Sequence, residues 1–128
     1  MKVLIIDDEA INRIVLAHYF EDRKFEVLIA KDGLEALKIL KIETDIDIVL
    51  LDLNMPVMDG YVLMSHLETD FFNTYDFKLI VISASLESDF YDKAKQLGLT
   101  LNRLDCFVAK PVNLEFLYSV IINLFSNE

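Results

Sequence analysis

The sequence predicts an α/β fold: a five-stranded parallel sheet covered by helices on both faces. Short runs rich in β-branched and aliphatic residues recur at 3–6, 25–29, 47–51, 78–82 and 106–108. Segments of helical period separate or follow them, at about 10–23, 33–43, 59–69, 87–98 and 112–126. Three of the strand runs are almost purely apolar, as strands buried on both faces of a parallel sheet must be. Five successive βα units therefore imply one doubly covered sheet.

Taken in order, Val3-Leu4-Ile5-Ile6 is apolar throughout and stops at Asp7, Asp8 and Glu9. The run at 25–29 alternates more, which suits a strand nearer the sheet edge. Asp32-Gly33 opens the second helix, Asp59-Gly60 opens the third, and Gly98 closes the fourth. A fairly long connection, 99–105, precedes the last strand. In the last helix Leu114, Leu117, Ile121 and Leu124 form a core stripe, whereas Phe116, Tyr118 and Ile122 fall off it. His18 and His66 lack metal-like spacing and read as surface or interface residues, Cys106 as an inert buried thiol, and Met55 and Met58 as packing residues.

The chain has 128 residues, 22 acidic against 12 basic, a formal charge of −10 and a hydrophobic share of 54%. That length fits one domain, and the apolar content builds a core that a disordered chain lacks. The acidic balance repels phosphate backbones, so direct nucleic-acid binding is not expected. With one cysteine there is neither an internal disulfide nor a cysteine zinc site. No apolar run approaches the roughly 18 residues of a membrane span, and acids follow four apolar residues at the N-terminus, so neither membrane insertion nor a signal peptide is expected. The expected location is cytoplasmic.

In an open α/β sheet, ligands bind outside the carboxyl ends of the strands. Asp7 and Asp8 follow the first strand run, Asp52 follows the third, Ser83 ends the fourth and Lys110 follows the fifth, just before Pro111. Three carboxylates, a hydroxyl and an ammonium thus converge on one sheet edge. Clustered carboxylates repel one another unless a hard cation with oxygen ligands, such as Mg2+, joins them. A carboxylate beside such an ion can attack phosphorus, and Lys110 and Ser83 can stabilise the transferred oxygens.

The order of these residues resembles the receiver domain of two-component response regulators. The resemblance runs through Val3-Leu4-Ile5-Ile6-Asp7-Asp8-Glu9, Asp52-Leu53-Asn54-Met55-Pro56-Val57-Met58-Asp59-Gly60, Ile82-Ser83-Ala84 and Phe107-Val108-Ala109-Lys110-Pro111, and covers the whole chain, 1–128, as one domain. It implies the flavodoxin-like strand order 2-1-3-4-5. By similarity, Asp52 accepts a phosphoryl group from a phosphohistidine on a histidine kinase or histidine phosphotransfer protein. Asp8 ligates Mg2+ (or Mn2+) directly, Asp7 largely through water, and Asp52 and the Asn54 carbonyl complete the protein ligands. Lys110 pairs with phosphorylated Asp52, and the Lys110-Pro111 bond is cis. Ser83 and Phe107 form the switch, and Asn54 and Ser85 tune hydrolysis. The resemblance also offers the fourth helix, fifth strand and fifth helix as a face for an effector or a second copy.

This reading describes a self-phosphorylating and self-dephosphorylating switch rather than a turnover enzyme, whether free-standing or part of a longer regulator or hybrid kinase. Two others compete with it. A phosphorylation-independent pseudo-receiver would lack an essential acid or the lysine, yet Asp7, Asp8, Asp52, Ser83 and Lys110 are all present. A phosphatase of the haloacid dehalogenase type places its nucleophile after the first strand in Asp-x-Asp, whereas here Asp52-Leu53-Asn54 lacks the second acid.

Overall fold

A computed structural model describes residues 1–53, 55, 58–72 and 75–126. The strands are β1 (Lys2–Ile6), β2 (Glu26–Ala30), β3 (Ile48–Asp52), β4 (Lys78–Ser83) and β5 (Leu104–Ala109). The helices are α1 (Ala10–Asp22), α2 (Gly33–Ile42), α3 (Gly60–Leu67), α4 (Glu87–Gln96) and α5 (Leu114–Ser126). All strand pairs are parallel, in the order β2-β1-β3-β4-β5.

The two-residue period of a strand divides the core into two layers. Leu4, Ile6, Val49, Leu51, Leu79 and Val81 face α2, α3 and α4. Val3, Ile5, Ile48, Leu50, Ile80 and Ile82 face α1 and α5. Central strands thus bury both kinds of position, which is why their sequences read as continuous apolar runs. Strand β2, on the edge, exposes Glu26 and Ile29. On the α1 layer Phe20 is fully buried between Tyr19 and Phe25. Phe20→Ala is expected to cost about 3–5 kcal/mol through lost transfer energy and a residual cavity. Denaturant unfolding of the variant checks this; a loss under 1 kcal/mol would contradict the packing described.

Helix ends follow local chemistry. The Asp32 and Asp59 carboxylates accept hydrogen bonds from the Glu35 and Val62 amides, capping α2 and α3. Helix α4 ends at Gln96, two residues before the expected boundary, because Gly98 takes φ +77°. Its amide donates to Lys95 O while the Leu99 amide donates to Ala94 O, the paired bonds of a Schellman ending. Helix α5 begins at Leu114 rather than 112, since the Asn113 side chain caps it by accepting from the Phe116 amide. Helix α3 stops at Leu67 and is followed by a 3-10 turn, Asp70–Phe72, that the periodicity does not reveal.

The connection before β5 is shorter than expected, because that strand starts at Leu104. The Glu68 carboxylate accepts from the Thr100 and Leu101 amides, and Arg103 donates to Phe72 O and Tyr75 O. Long-range bonds of this kind leave no mark on local sequence. In α5, Leu117 and Ile121 are fully buried, with Leu114 and Leu124 at the margin. Tyr118 is a correction: its ring packs edge-on against Tyr19 and Phe25, since α5 leans on α1 and its buried arc is wider than the stripe. Phe116 and Ile122 are exposed, as expected.

Candidate functional site

Parallel pairing brings the C-terminal ends of β1, β3, β4 and β5 to one edge, so the residues there meet whatever their sequence separation. Asp52 is the last residue of β3 and Asp7 directly follows β1; both are buried, while Asp8 is exposed. One carboxylate oxygen from each of Asp7, Asp8 and Asp52 lies within 4.8 Å of the others. Such a set of hard oxygen donors with one wet member fits a divalent cation that keeps part of its water shell.

The backbone is braced around these carboxylates. The Glu9 amide donates to Asp7 Oδ1 at 2.9 Å, and the Arg13 guanidinium donates to the Asp7 carbonyl at 2.7 Å. Arg13 was not singled out in the sequence; its place on the first turns of α1, six residues after Asp7, is the signal that could have found it. Across the site the Lys110 ammonium lies 3.5 Å from Asp52 Oδ2, with the lysine side chain mostly covered. The Lys110 amide donates to Ser83 O at 2.8 Å, and the Lys110-Pro111 peptide bond is cis. Ser83 is fully buried and its hydroxyl accepts from the Ser85 amide at 3.0 Å. Ser85 itself is exposed on the loop that leads to α4.

Leu53 and Met58, on either side of the turn after β3, make close backbone approaches to two glycines. The Gly60 amide donates to Leu53 O at 2.7 Å, and a Cβ at Gly60 would stand 2.6 Å from Leu53 Cα. The Gly33 amide donates to Met58 O, where a Cβ would stand 2.5 Å from that oxygen. Met55 is buried and Met58 packs at the core margin, in keeping with packing roles. Asn54, Pro56 and Val57 lie outside the described residues, and the ligand and tuning roles expected of Asn54 lie there with it.

Phe107 is half-buried, with its ring 5.2 Å from that of Phe90 on α4. Cys106 is only half-buried, a correction to the buried thiol expected, because β5 is the other edge strand. Burial still pushes its thiol pKa up, with Glu87 and Asp105 adding to the effect, so a reactive thiolate is disfavoured. His18 and His66 are exposed, His18 lying 3.6 Å from Asp22. Among the described residues no helix is long and apolar enough to cross a membrane.

The family described as "Response regulator receiver domain" matches residues 3–122. Sporulation initiation phosphotransferase F of Bacillus subtilis is 32% identical over 114 residues, covering 89% of this chain and 85% of that protein. Sensor histidine kinase RcsC of Escherichia coli (strain K12) is 34% identical over 115 residues, covering 90% of this chain. The chain spans only 11% of that kinase, and 5% of hybrid signal transduction histidine kinase A of Dictyostelium discoideum. Among solved structures, chemotaxis protein CheY4 of Vibrio cholerae superposes with a TM-score of 0.78 at 26% identity, over 95% of this chain and 96% of that one. Response regulator TrrA of Thermotoga maritima, solved in complex with Mg(2+)-BeF, gives a TM-score of 0.76 at 26% identity, over 96% of this chain and 97% of that one.

Proposed function

The chain belongs to the response regulator receiver domain family, and from that premise we propose that it is a phosphoacceptor in which Asp52 takes a phosphoryl group from a phosphohistidine. Residues 1–128 act as one receiver unit, free-standing or within a longer signalling protein. The observation that carries this reading is the buried Asp52 carboxylate, flanked by Asp7 and Asp8 and faced by Lys110 at 3.5 Å. A lone buried carboxylate would be costly, whereas this one has both a cation opposite and acids able to recruit a second.

An Asp52 carboxylate oxygen forms the new bond to phosphorus while the bond from phosphorus to the histidine nitrogen breaks, and the imidazole departs with the electron pair. Lys110 neutralises charge on the transferred group, and the Ser83 hydroxyl, at the end of the adjacent strand, turns toward a phosphoryl oxygen. Asp7, Asp8 and Asp52 would hold Mg2+ (Mn2+ substituting), which when bound screens the carboxylates from one another and the phosphoryl oxygens from Asp52. Movement of Ser83 loosens the wall behind Phe107, whose ring shifts against Phe90 and α4. A local charge change thereby reshapes the face made by α4, β5 and α5. Exposed Leu86, Tyr91, Leu97 and Phe116 offer that face to an effector or a second copy. Ser85 and Asn54 tune the lifetime of the phosphoryl group. The expected setting is the cytoplasm.

The phosphohistidine donor, a histidine kinase or histidine phosphotransfer protein, must bring an imidazole to Asp52. Beside the site, α1 presents Ile11 (75% exposed) and Ile14 (67%), with Val15 next to them, an apolar stripe at helical spacing. Ile14→Asp is expected to slow transfer from the protein donor at least 10-fold while acetyl phosphate labels the variant at the wild-type rate. Equal slowing with both donors would contradict docking on α1.

The function itself is tested by incubating the full chain with acetyl phosphate and Mg2+ and recording intact mass. Gain of one phosphoryl group, lost on chelation, supports a receiver; an unchanged mass with Mg2+ present would overturn it and favour a phosphorylation-independent scaffold.

A further inference from the structure

Arg13 stands on the first turn of α1, and its side chain runs back toward the helix N-terminus, as side chains on a helix do. There its guanidinium donates to the Asp7 carbonyl at 2.7 Å, while its own amide donates to Glu9 O at 3.1 Å. Glu9, the N-cap residue, makes no side-chain capping bond, so the entry to α1 is tied to Asp7 instead. Asp7 is held on several sides: its amide donates to Ala30 O, its Oδ1 accepts from the Glu9 amide, and its carbonyl accepts from Arg13. In the first two the partner is backbone, which any residue supplies. In the third it is one particular side chain.

The Asp7 carbonyl and the Asp8 amide belong to one planar peptide unit. Fixing that carbonyl therefore fixes the plane from which the Asp8 side chain departs. Asp8 is exposed, so its backbone decides whether its carboxylate stays within 4.8 Å of those of Asp7 and Asp52. The guanidinium charge acts the other way, because a cation beside three carboxylates opposes the arrival of another. Orientation and charge thus have opposite signs for metal affinity. Removing a group that orients metal-binding residues typically weakens affinity about 10–100-fold. The charge of a half-buried guanidinium is partly screened by water and salt. Orientation outweighs charge.

We infer that Arg13 is a positioning residue: it holds the peptide between Asp7 and Asp8 so that both acids can share a divalent cation with Asp52. The inference rests on the reading of these three acids as the Mg2+ site and adds the residue that sets two of them. The effect falls on the Mg2+ requirement, and phosphoryl transfer at saturating Mg2+ is left close to its normal rate.

The test uses the full chain, isotope-labelled for NMR and titrated with MgCl2 while the amide shifts of residues 7–9 are followed. Phosphorylation by acetyl phosphate is timed over the same range of Mg2+. Arg13→Met keeps the aliphatic stem and removes the donors and the charge. Its Mg2+ dissociation constant is expected to rise at least about 5-fold, with a phosphorylation rate within about 2-fold of wild type once Mg2+ saturates. Arg13→Gln, whose donor stands closer to the backbone, is expected to behave alike and serves if the methionine variant does not fold. Metal-free amide shifts in the strands check the fold of both. An unchanged or lower dissociation constant overturns the inference and leaves Arg13 as a source of charge alone. A loss of rate that saturating Mg2+ does not restore overturns it too. If the wild type itself shows no saturable response to Mg2+, the reading of the three acids as the metal site falls, and the inference with it.

Discussion

Asp52→Asn is expected to abolish phosphoryl uptake, with no gain in mass after acetyl phosphate and Mg2+ under conditions that label the wild type. The substitution keeps the shape of the side chain but removes the nucleophilic oxygen charge. Its cost in stability should be small, because two effects oppose each other. The variant loses the attraction between Asp52 and the Lys110 ammonium 3.5 Å away. It also loses repulsion within the set of three carboxylates whose oxygens lie within 4.8 Å. A thermal midpoint close to wild type alongside zero labelling would locate the defect in chemistry rather than in folding. Label of wild-type extent in Asp52→Asn would transfer the acceptor role to another residue.

The second large effect concerns the metal. A cation that binds only the folded state stabilises it by about 2.7 kcal/mol at a hundred times its dissociation constant. For a chain of this length that corresponds to a rise in Tm of roughly 10 °C. Asp8, exposed at the mouth of the site, supplies an oxygen to this set. Asp8→Asn is therefore expected to lose most of the Mg2+-dependent rise, and to melt no lower than the wild type when both are metal-free. Thermal melts with Mg2+ and with chelator check both halves. An undiminished Mg2+ response in Asp8→Asn would show that the ion binds elsewhere.

Much of the fold was legible because β1, β3 and β4 bury both faces, so each appears in the sequence as an unbroken apolar run. The edge position of β2 was legible for the opposite reason, from its alternation. The site was legible because Asp7, Asp52, Ser83 and Lys110 each sit at the end of a strand run, and a parallel sheet aligns those ends. What escaped depends on contacts between distant segments. Glu68 tying down the chain before β5, Arg103 bracing Phe72 and Tyr75, and Tyr118 packing on α1 are all tertiary arrangements without local periodicity. Arg13 escaped because its partner is a backbone carbonyl, which any residue at position 7 would supply. The half-exposure of Cys106 follows from β5 being an edge, which the short apolar run 106–108 did not disclose.

The central claim, that Asp52 carries the phosphoryl group, is tested most directly by locating the modification. The chain is labelled with acetyl phosphate in Mg2+, reduced with borohydride to convert an aspartyl phosphate to homoserine, digested and sequenced by tandem mass spectrometry. The account predicts homoserine at position 52, with Asp7 and Asp8 unchanged. Homoserine at either of those positions, or phosphate retained on His18 or His66, would contradict it.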